Sequence, residues 1–139
     1  MKVLSLFDGI SCGMLALQRA GIPVECYDAF EIDKYAVTVS KRNFPVIVHH
    51  GNVYDGDFTQ FKGYDLLLGG SPCTYWSIAK KDREIDCNGE GFRLFQEYVR
   101  ALEESGCQYF LYENNYSVHQ NIKDEITRVL GVGPIMINS

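Results

Sequence analysis

Residues 2–21 read KVLSLFDGISCGMLALQRAG, and this stretch decides the fold. Its apolar start ends at Asp8 and Gly9, and the helix formers Met14 to Ala20 follow, closed by Gly21: strand, turn, helix. The cycle then repeats. ECYDAF (25–30) reads as a strand and DKYAVTVSKRNF (33–44) as a helix that Asp33 can cap and Pro45 stops. VIVHH (46–50) is a short strand, GNVYDGD (51–57) a polar turn, and YDLLLGG (64–70) an apolar strand ending on paired glycines. Phe92, Phe95, Tyr98, Val99 and Leu102 recur at helical spacing, as do Val118, Ile122, Ile126, Val129 and Leu130. CQYFLY (107–112) reads as a strand between those helices and PIMIN (134–138) as another after them.

Strands that are apolar throughout, alternating with helices, are buried on both faces, which predicts an open, doubly wound, mostly parallel α/β sheet. A chain of 139 residues, 46% hydrophobic, suffices for one domain, 1–139, and not for two. The longest polar stretch, KKDREIDCNGEG (80–91), is expected to be a mobile loop.

Composition narrows the function. Thirteen basic against 18 acidic residues give a net charge of -5, and no basic run exists to grip phosphates, so the chain is not expected to bind nucleic acid alone. Asp8 and the glycines interrupt the apolar N-terminus, which excludes a signal peptide or membrane span there and predicts a cytoplasmic protein. Five cysteines (12, 26, 73, 87, 107), odd in number and without a Cys-x-x-Cys pair, argue against a disulfide framework or a zinc site. No metal is expected.

In such sheets ligands bind beyond the carboxyl ends of the strands. Gly9 and Gly13 in FDGISCG (7–13) allow a tight turn and close approach of backbone amides to a ligand, although a strand-to-helix turn needs glycine anyway. Neither the Gly-x-Gly-x-x-Gly fingerprint nor a P-loop is present. Glu31 can accept ribose hydroxyls while Asp33 caps a helix; Asn52 and Val53 follow the third strand, where an adenine edge or an ordinary turn would sit. Gly69-Gly70-Ser71-Pro72-Cys73 presents a thiol from a stiff turn, a nucleophile or an inert buried cysteine. Tyr112-Glu113-Asn114-Asn115 brings a carboxylate out of an apolar strand, where desolvation would favour its protonated form. Thiol and acid on neighbouring strand tips make a nucleophile and a proton donor facing one pocket. His49 and His50 point apart and are expected at the surface, whereas Tyr75 and Trp76 are either a stacking platform for a base or core.

The motifs LFDGISCG (6–13), FEIDKYA (30–36), GNV (51–53), GGSPCTYWS (69–77), GFRLFQEYVRAL (91–102) and YENN (112–115) together resemble the DNA cytosine-5 methyltransferases, bacterial and phage members in particular, from Met1 to the end. The resemblance implies a Rossmann-like fold and the cofactor S-adenosylmethionine. Phe7 would stack on its adenine, the backbone around Gly9, with Asp8 and Ile10, would hold the methionine part, and Glu31, beside Ile32, would bind the ribose. Asn52 and Val53 would border the adenine, and Gly70 and Pro72 the sulfonium. Cys73 would attack C6 of a cytosine flipped out of duplex DNA, Glu113 would hold or protonate N3, and Asn114 would fix that loop.

Two positions depart from the family: Asn115 stands where an aliphatic residue is usual, and Asn52 where an aspartate is common. The resemblance also implies that an arginine-bearing motif, a target-recognition region and a C-terminal segment belong after Ser139. DNA binding would then depend on that region or on a complementing chain. A later antiparallel strand would lie beside the fifth, so the chain as it stands is expected to expose that edge and to self-associate through it or accept a partner there. The alternatives are a catalytically silent S-adenosylmethionine-binding or regulatory module, and a nicotinamide-dependent oxidoreductase, which the missing fingerprint argues against.

Overall fold

The N-terminal apolar run becomes β1 (Lys2–Leu6), and the helix after it, α1 (Cys12–Arg19), begins two residues before Met14. β2 (Cys26–Phe30) leads to α2 (Lys34–Asn43), capped as expected: Asp33 Oδ1 accepts the amide protons of Tyr35 at 2.8 Å and Ala36 at 3.3 Å. β3 (Val48–His50), β4 (Leu66–Gly69), α3 (Glu90–Ser105), β5 (Tyr109–Tyr112) and α4 (Gln120–Leu130) complete the chain, with short 3-10 turns at Val53–Asp55, Phe58–Phe61 and Cys73–Tyr75. These elements come from a computed structural model that describes residues 1–138.

The five strands form one sheet in the order β3-β2-β1-β4-β5, every neighbouring pair parallel. The order reverses between β1 and β4, and in open sheets of this kind ligands bind beyond the strand ends at that reversal. Side chains alternate across β1. Val3 packs with Met14, Leu17, Tyr27 and Ala29 on one face, while Leu4 and Leu6 pack with Phe58, Leu67, Tyr98 and Ala101 on the other. A third cluster, Trp76, Phe92, Phe95, Val118 and Ile122, joins α3 and α4.

Three expectations change. PIMIN forms no strand: residues 134–138 lack regular structure, and Ile135 and Ile137 are exposed. Apolar composition alone does not make a strand without a neighbour to pair with. β3 starts at Val48 rather than at Val46, and Cys107 lies buried just ahead of β5 instead of within it. Among the described residues β5 pairs only with β4, so its other edge is open. Phe110 and Tyr112 turn into the core, whereas Tyr109 and Leu111, 54% and 61% exposed, do not.

Candidate active site

The turn after β1 carries unusual backbone. Phe7 (φ 56°) and Ser11 (φ 68°) both adopt the left-handed region, which costs side-chain-bearing residues energy, and Gly9 between them (φ +60°) faces open space. Glu31 ties this turn to the one after β2. Its Oε2 accepts the amide proton of Gly9 at 2.7 Å, and its Oε1 those of Ile32 and Asp33, both at 2.9 Å. A carboxylate has about four acceptor sites, so these three bonds leave one on Oε2 for a hydroxyl. Ile10 and Ile32 stand exposed on either side, and the ring of Phe7 is half-buried against the core.

Asp8 lies in this loop without facing the crevice. Its Oδ1 accepts from Ser5 Oγ and Tyr27 Oη, each at 2.6 Å, and its Oδ2 from Ser11 Oγ. Three buried hydroxyls take up three of the carboxylate's acceptor sites, so the side chain of Asp8 holds the loop from behind. Asn52 spends Oδ1 on the amide of Tyr54, and the side chain of Val53 belongs to the core, so the turn after β3 turns its apolar residue away from solvent.

β4 and β5 end in register, Gly69 opposite Tyr112, which sets the cysteine turn beside the acidic turn. Glu113 donates its amide proton to Gly69 O at 2.9 Å, and Asn114 Nδ2 donates to Ser71 O at 3.0 Å. Ser71 Oγ and Tyr112 Oη form a third bond. This packing requires the paired glycines. A Cβ on Gly70 would collide with the carbonyl oxygen of Glu113, and one on Gly69 with Leu6 O and the Tyr98 ring.

Cys73 and Pro72 are exposed. Trp76 anchors the cysteine's 3-10 turn and is fully buried among Phe92, Phe95, Val118 and Ile122, so it is core and not a stacking platform. Glu113 is exposed as well, which corrects the expected desolvation; β5 is an edge strand, and nothing covers its tip among the described residues.

Other residues hold the site without any local signal in the sequence. The stretch 80–91 is pinned, contrary to expectation. Glu84 donates its amide to Tyr75 O at 2.9 Å, and its carboxylate accepts from Glu90 and Gly91 amides at 2.9 and 3.0 Å, capping α3. Arg83 donates to Ser117 O at 2.8 Å. Arg100 on α3 donates to Val53 O and Gly56 O at 2.9 and 2.8 Å, pairs with Glu97 and Glu104, and lies 4.5 Å from the Phe58 ring centroid. It is the clamp on the turn after β3. His49 and His50 point to opposite faces and are half-buried rather than fully exposed: His49 meets Ser40, and His50 Nε2 meets Asp28 Oδ1 at 2.8 Å.

No group of three or more metal-ligating side chains, and no helix long and apolar enough to cross a membrane, occurs among the described residues.

Residues 1–130 match the family model described as C-5 cytosine-specific DNA methylase. The chain is 37% identical over 117 residues to the orphan methyltransferase M.SPRI of Bacillus phage SPR, covering 82% of this chain and 26% of that protein. It is 33% identical over 116 residues to the type II methyltransferase M.HgiCII of Herpetosiphon aurantiacus, covering 81% of this chain and 25% of the relative. The chain thus spans about a quarter of the length of the curated relatives it matches. In fold it is similar to a mutant DNMT2 of Spodoptera frugiperda (TM-score 0.72, 23% identity, 94% of this chain and 40% of that one). It is likewise similar to S. pombe Dnmt2 (TM-score 0.69, 20% identity, 94% and 39%). This likeness agrees with the Rossmann-like sheet expected from the sequence.

Proposed function

This chain belongs to the C-5 cytosine-specific DNA methylase family, and from that premise we propose that residues 1–139 are the S-adenosylmethionine-binding and catalytic portion of an enzyme that methylates C5 of cytosine in DNA. One observation carries the reading. The turn bearing Cys73 and the turn bearing Glu113 are laced together by Glu113 N to Gly69 O and Asn114 Nδ2 to Ser71 O, which supports a thiol and an acid acting on one base.

The cofactor fits the residues beside β1 and β2. Glu31 retains an acceptor for a ribose hydroxyl, Gly9 leaves its surroundings open for the methionine part with Ile10 exposed beside it, and Phe7 and Ile32 offer apolar surface to an adenine. S-adenosylmethionine, when bound, supplies the methyl group that the activated C5 takes up. Cys73, as thiolate, adds to C6 of a cytosine extruded from its stack, which pushes electron density to C5. Glu113 holds or protonates N3, and Asn114 keeps its loop in place. A solvent base then takes the C5 proton, and the electron pair of that C–H bond re-forms the C5=C6 double bond as the C6–S bond breaks and Cys73 leaves as thiolate. With a net charge of -5, the chain's grip on DNA in this reading comes from further residues or a complementing chain.

A second reading, a catalytically silent S-adenosylmethionine-binding or regulatory module, is favoured by the exposure of Cys73 and Glu113, since water competes at both groups. Covalent trapping on duplex DNA carrying 5-fluorocytosine, with S-adenosylmethionine present, decides between them. With those further residues or the complementing chain supplied, the first reading expects an adduct that Cys73→Ser abolishes. S-adenosylmethionine binding without any adduct favours the second, and calorimetric binding of a nicotinamide dinucleotide instead overturns both.

A further inference from the structure

Behind the ligand loop a row of polar groups, buried at Ser11 and Ser40 and half-buried at its two ends, runs from Asp8 to His49. Ser11 Oγ meets Asp8 Oδ2, Ser11 Oγ lies 2.5 Å from Ser40 Oγ, and Ser40 Oγ lies 3.2 Å from His49 Nε2. Ser11 and Ser40 are 0% exposed. Such a row inside an apolar core is costly unless every member is satisfied.

Proton counting fixes its direction. The Asp8 carboxylate only accepts, so Ser11 spends its one hydroxyl proton on it. Ser40 must therefore donate to Ser11, which consumes the proton of Ser40. The contact between Ser40 and His49 can then be made only by an Nε2–H of His49. His49 Nδ1 is buried and meets no polar group among the described residues, which suits a bare lone pair and not a second proton.

We propose that His49, Ser40 and Ser11 form a one-way donor relay ending on Asp8, and that Ser40 and His49 are positioning residues for the cofactor loop although neither lies in it. The relay rests on the cofactor reading above only for what the loop binds. It supplies what the loop geometry lacks. Ser11 occupies the N-cap of α1 in the left-handed region, and its hydroxyl caps no helix amide because it is turned inward to Asp8. Phe7, at the loop's other end, is likewise left-handed, and Asp8 sits between the two, held also by Ser5 and Tyr27. Gly13 makes room for this, because a Cβ there would press on the Tyr27 hydroxyl. Burial, with Lys41 adding to it, holds the His49 ring below its ordinary pKa, which agrees with a neutral imidazole.

Two measurements test this. Long-range proton–nitrogen correlation on the nitrogen-labelled chain, assigned with His49→Gln, is expected to show His49 neutral with its proton on Nε2. In Ser40→Ala that tautomer preference relaxes, a change that a purely packing role for Ser40 would not produce. A proton on Nδ1 in the unaltered chain overturns the proposal. Calorimetric titration with S-adenosylmethionine is expected to give binding about tenfold weaker for Ser40→Ala and His49→Leu, equivalent to about 1.4 kcal/mol. His49→Gln keeps a donor near the Nε2 position and should bind as the unaltered chain does. Equal affinity in all four chains overturns the positioning role. Failure of the unaltered chain to bind S-adenosylmethionine sinks the cofactor reading instead, and the tautomer measurement then decides the relay alone.

Discussion

Glu31 Oε2 accepts the amide proton of Gly9 at 2.7 Å, joining the turns after β1 and β2, which are 22 residues apart in sequence. The carboxylate that is proposed to read a ribose therefore also sets the shape of the loop that would hold the rest of the cofactor. Glu31→Gln keeps one acceptor oxygen but loses the charge and one of the two oxygens. A hydrogen bond to a charged group is worth about 1.5–3 kcal/mol, so S-adenosylmethionine affinity should fall by about tenfold to a hundredfold by calorimetry. A smaller loss would mean that Gly9 is held by other means.

Asn114 holds the acidic turn to the cysteine turn through Ser71 O. Asn114→Leu removes that donor and leaves a partly buried carbonyl unpaired, at a cost of about 1–3 kcal/mol. The expected outcome is slower adduct formation in the 5-fluorocytosine assay with a much smaller loss of S-adenosylmethionine binding, because Phe7, Gly9 and Glu31 lie after other strands and only Gly70 and Pro72 share the cysteine turn.

Arg100 satisfies two carbonyls and two carboxylates from one guanidinium. Lysine cannot reproduce that planar fork. Arg100→Lys should destabilise the fold by about 1–2 kcal/mol and Arg100→Ala by about 2–4 kcal/mol in urea unfolding, since alanine leaves Val53 O and Gly56 O without their donor.

Tyr27, Tyr54, Tyr64, Tyr98 and Tyr112 all have phenols pushed up by burial, Tyr54 to about 12. A raised folded-state pKa contributes stability that is whole below the ordinary value of 10.0 and is lost as pH climbs through the raised one. Stability should therefore fall steadily from pH 10 upward, with the phenolate absorbance of these five residues and the loss of helical circular dichroism rising together. Ionisation of Tyr27 and Tyr98, followed as the difference from their phenylalanine variants, well before unfolding would contradict this.

The free edge of β5, with Tyr109 and Leu111 exposed and no Lys or Pro within the strand to discourage pairing, is proposed to associate with a second strand. Light scattering should show a mass that grows with concentration, and Leu111→Lys should suppress the growth. A single mass at every concentration would rule the association out.

The regular alternation of apolar runs and helical spacing was enough to give the parallel α/β sheet, because burial on both faces leaves a period that shows in one dimension. Cys73 and Glu113 were legible as strand-end residues for the same reason. Composition did not reveal that Asp8 turns inward, that Trp76 is an anchor, or that Glu84 caps α3 from outside the helix. Each depends on which turns the sheet order brings together. PIMIN reads as a strand and is none, since a strand needs a paired neighbour as well as suitable residues.

The sequence by itself determined the sheet and the chemical types at its rim, because local periodicity and turn residues are properties of neighbours along the chain. Only the tertiary structure decided which of those groups face the crevice and which are spent on one another. Hydrogen-bond partners such as Ser40 and His49, or Glu31 and Gly9, are chosen by proximity in space, and no spacing along the chain encodes that.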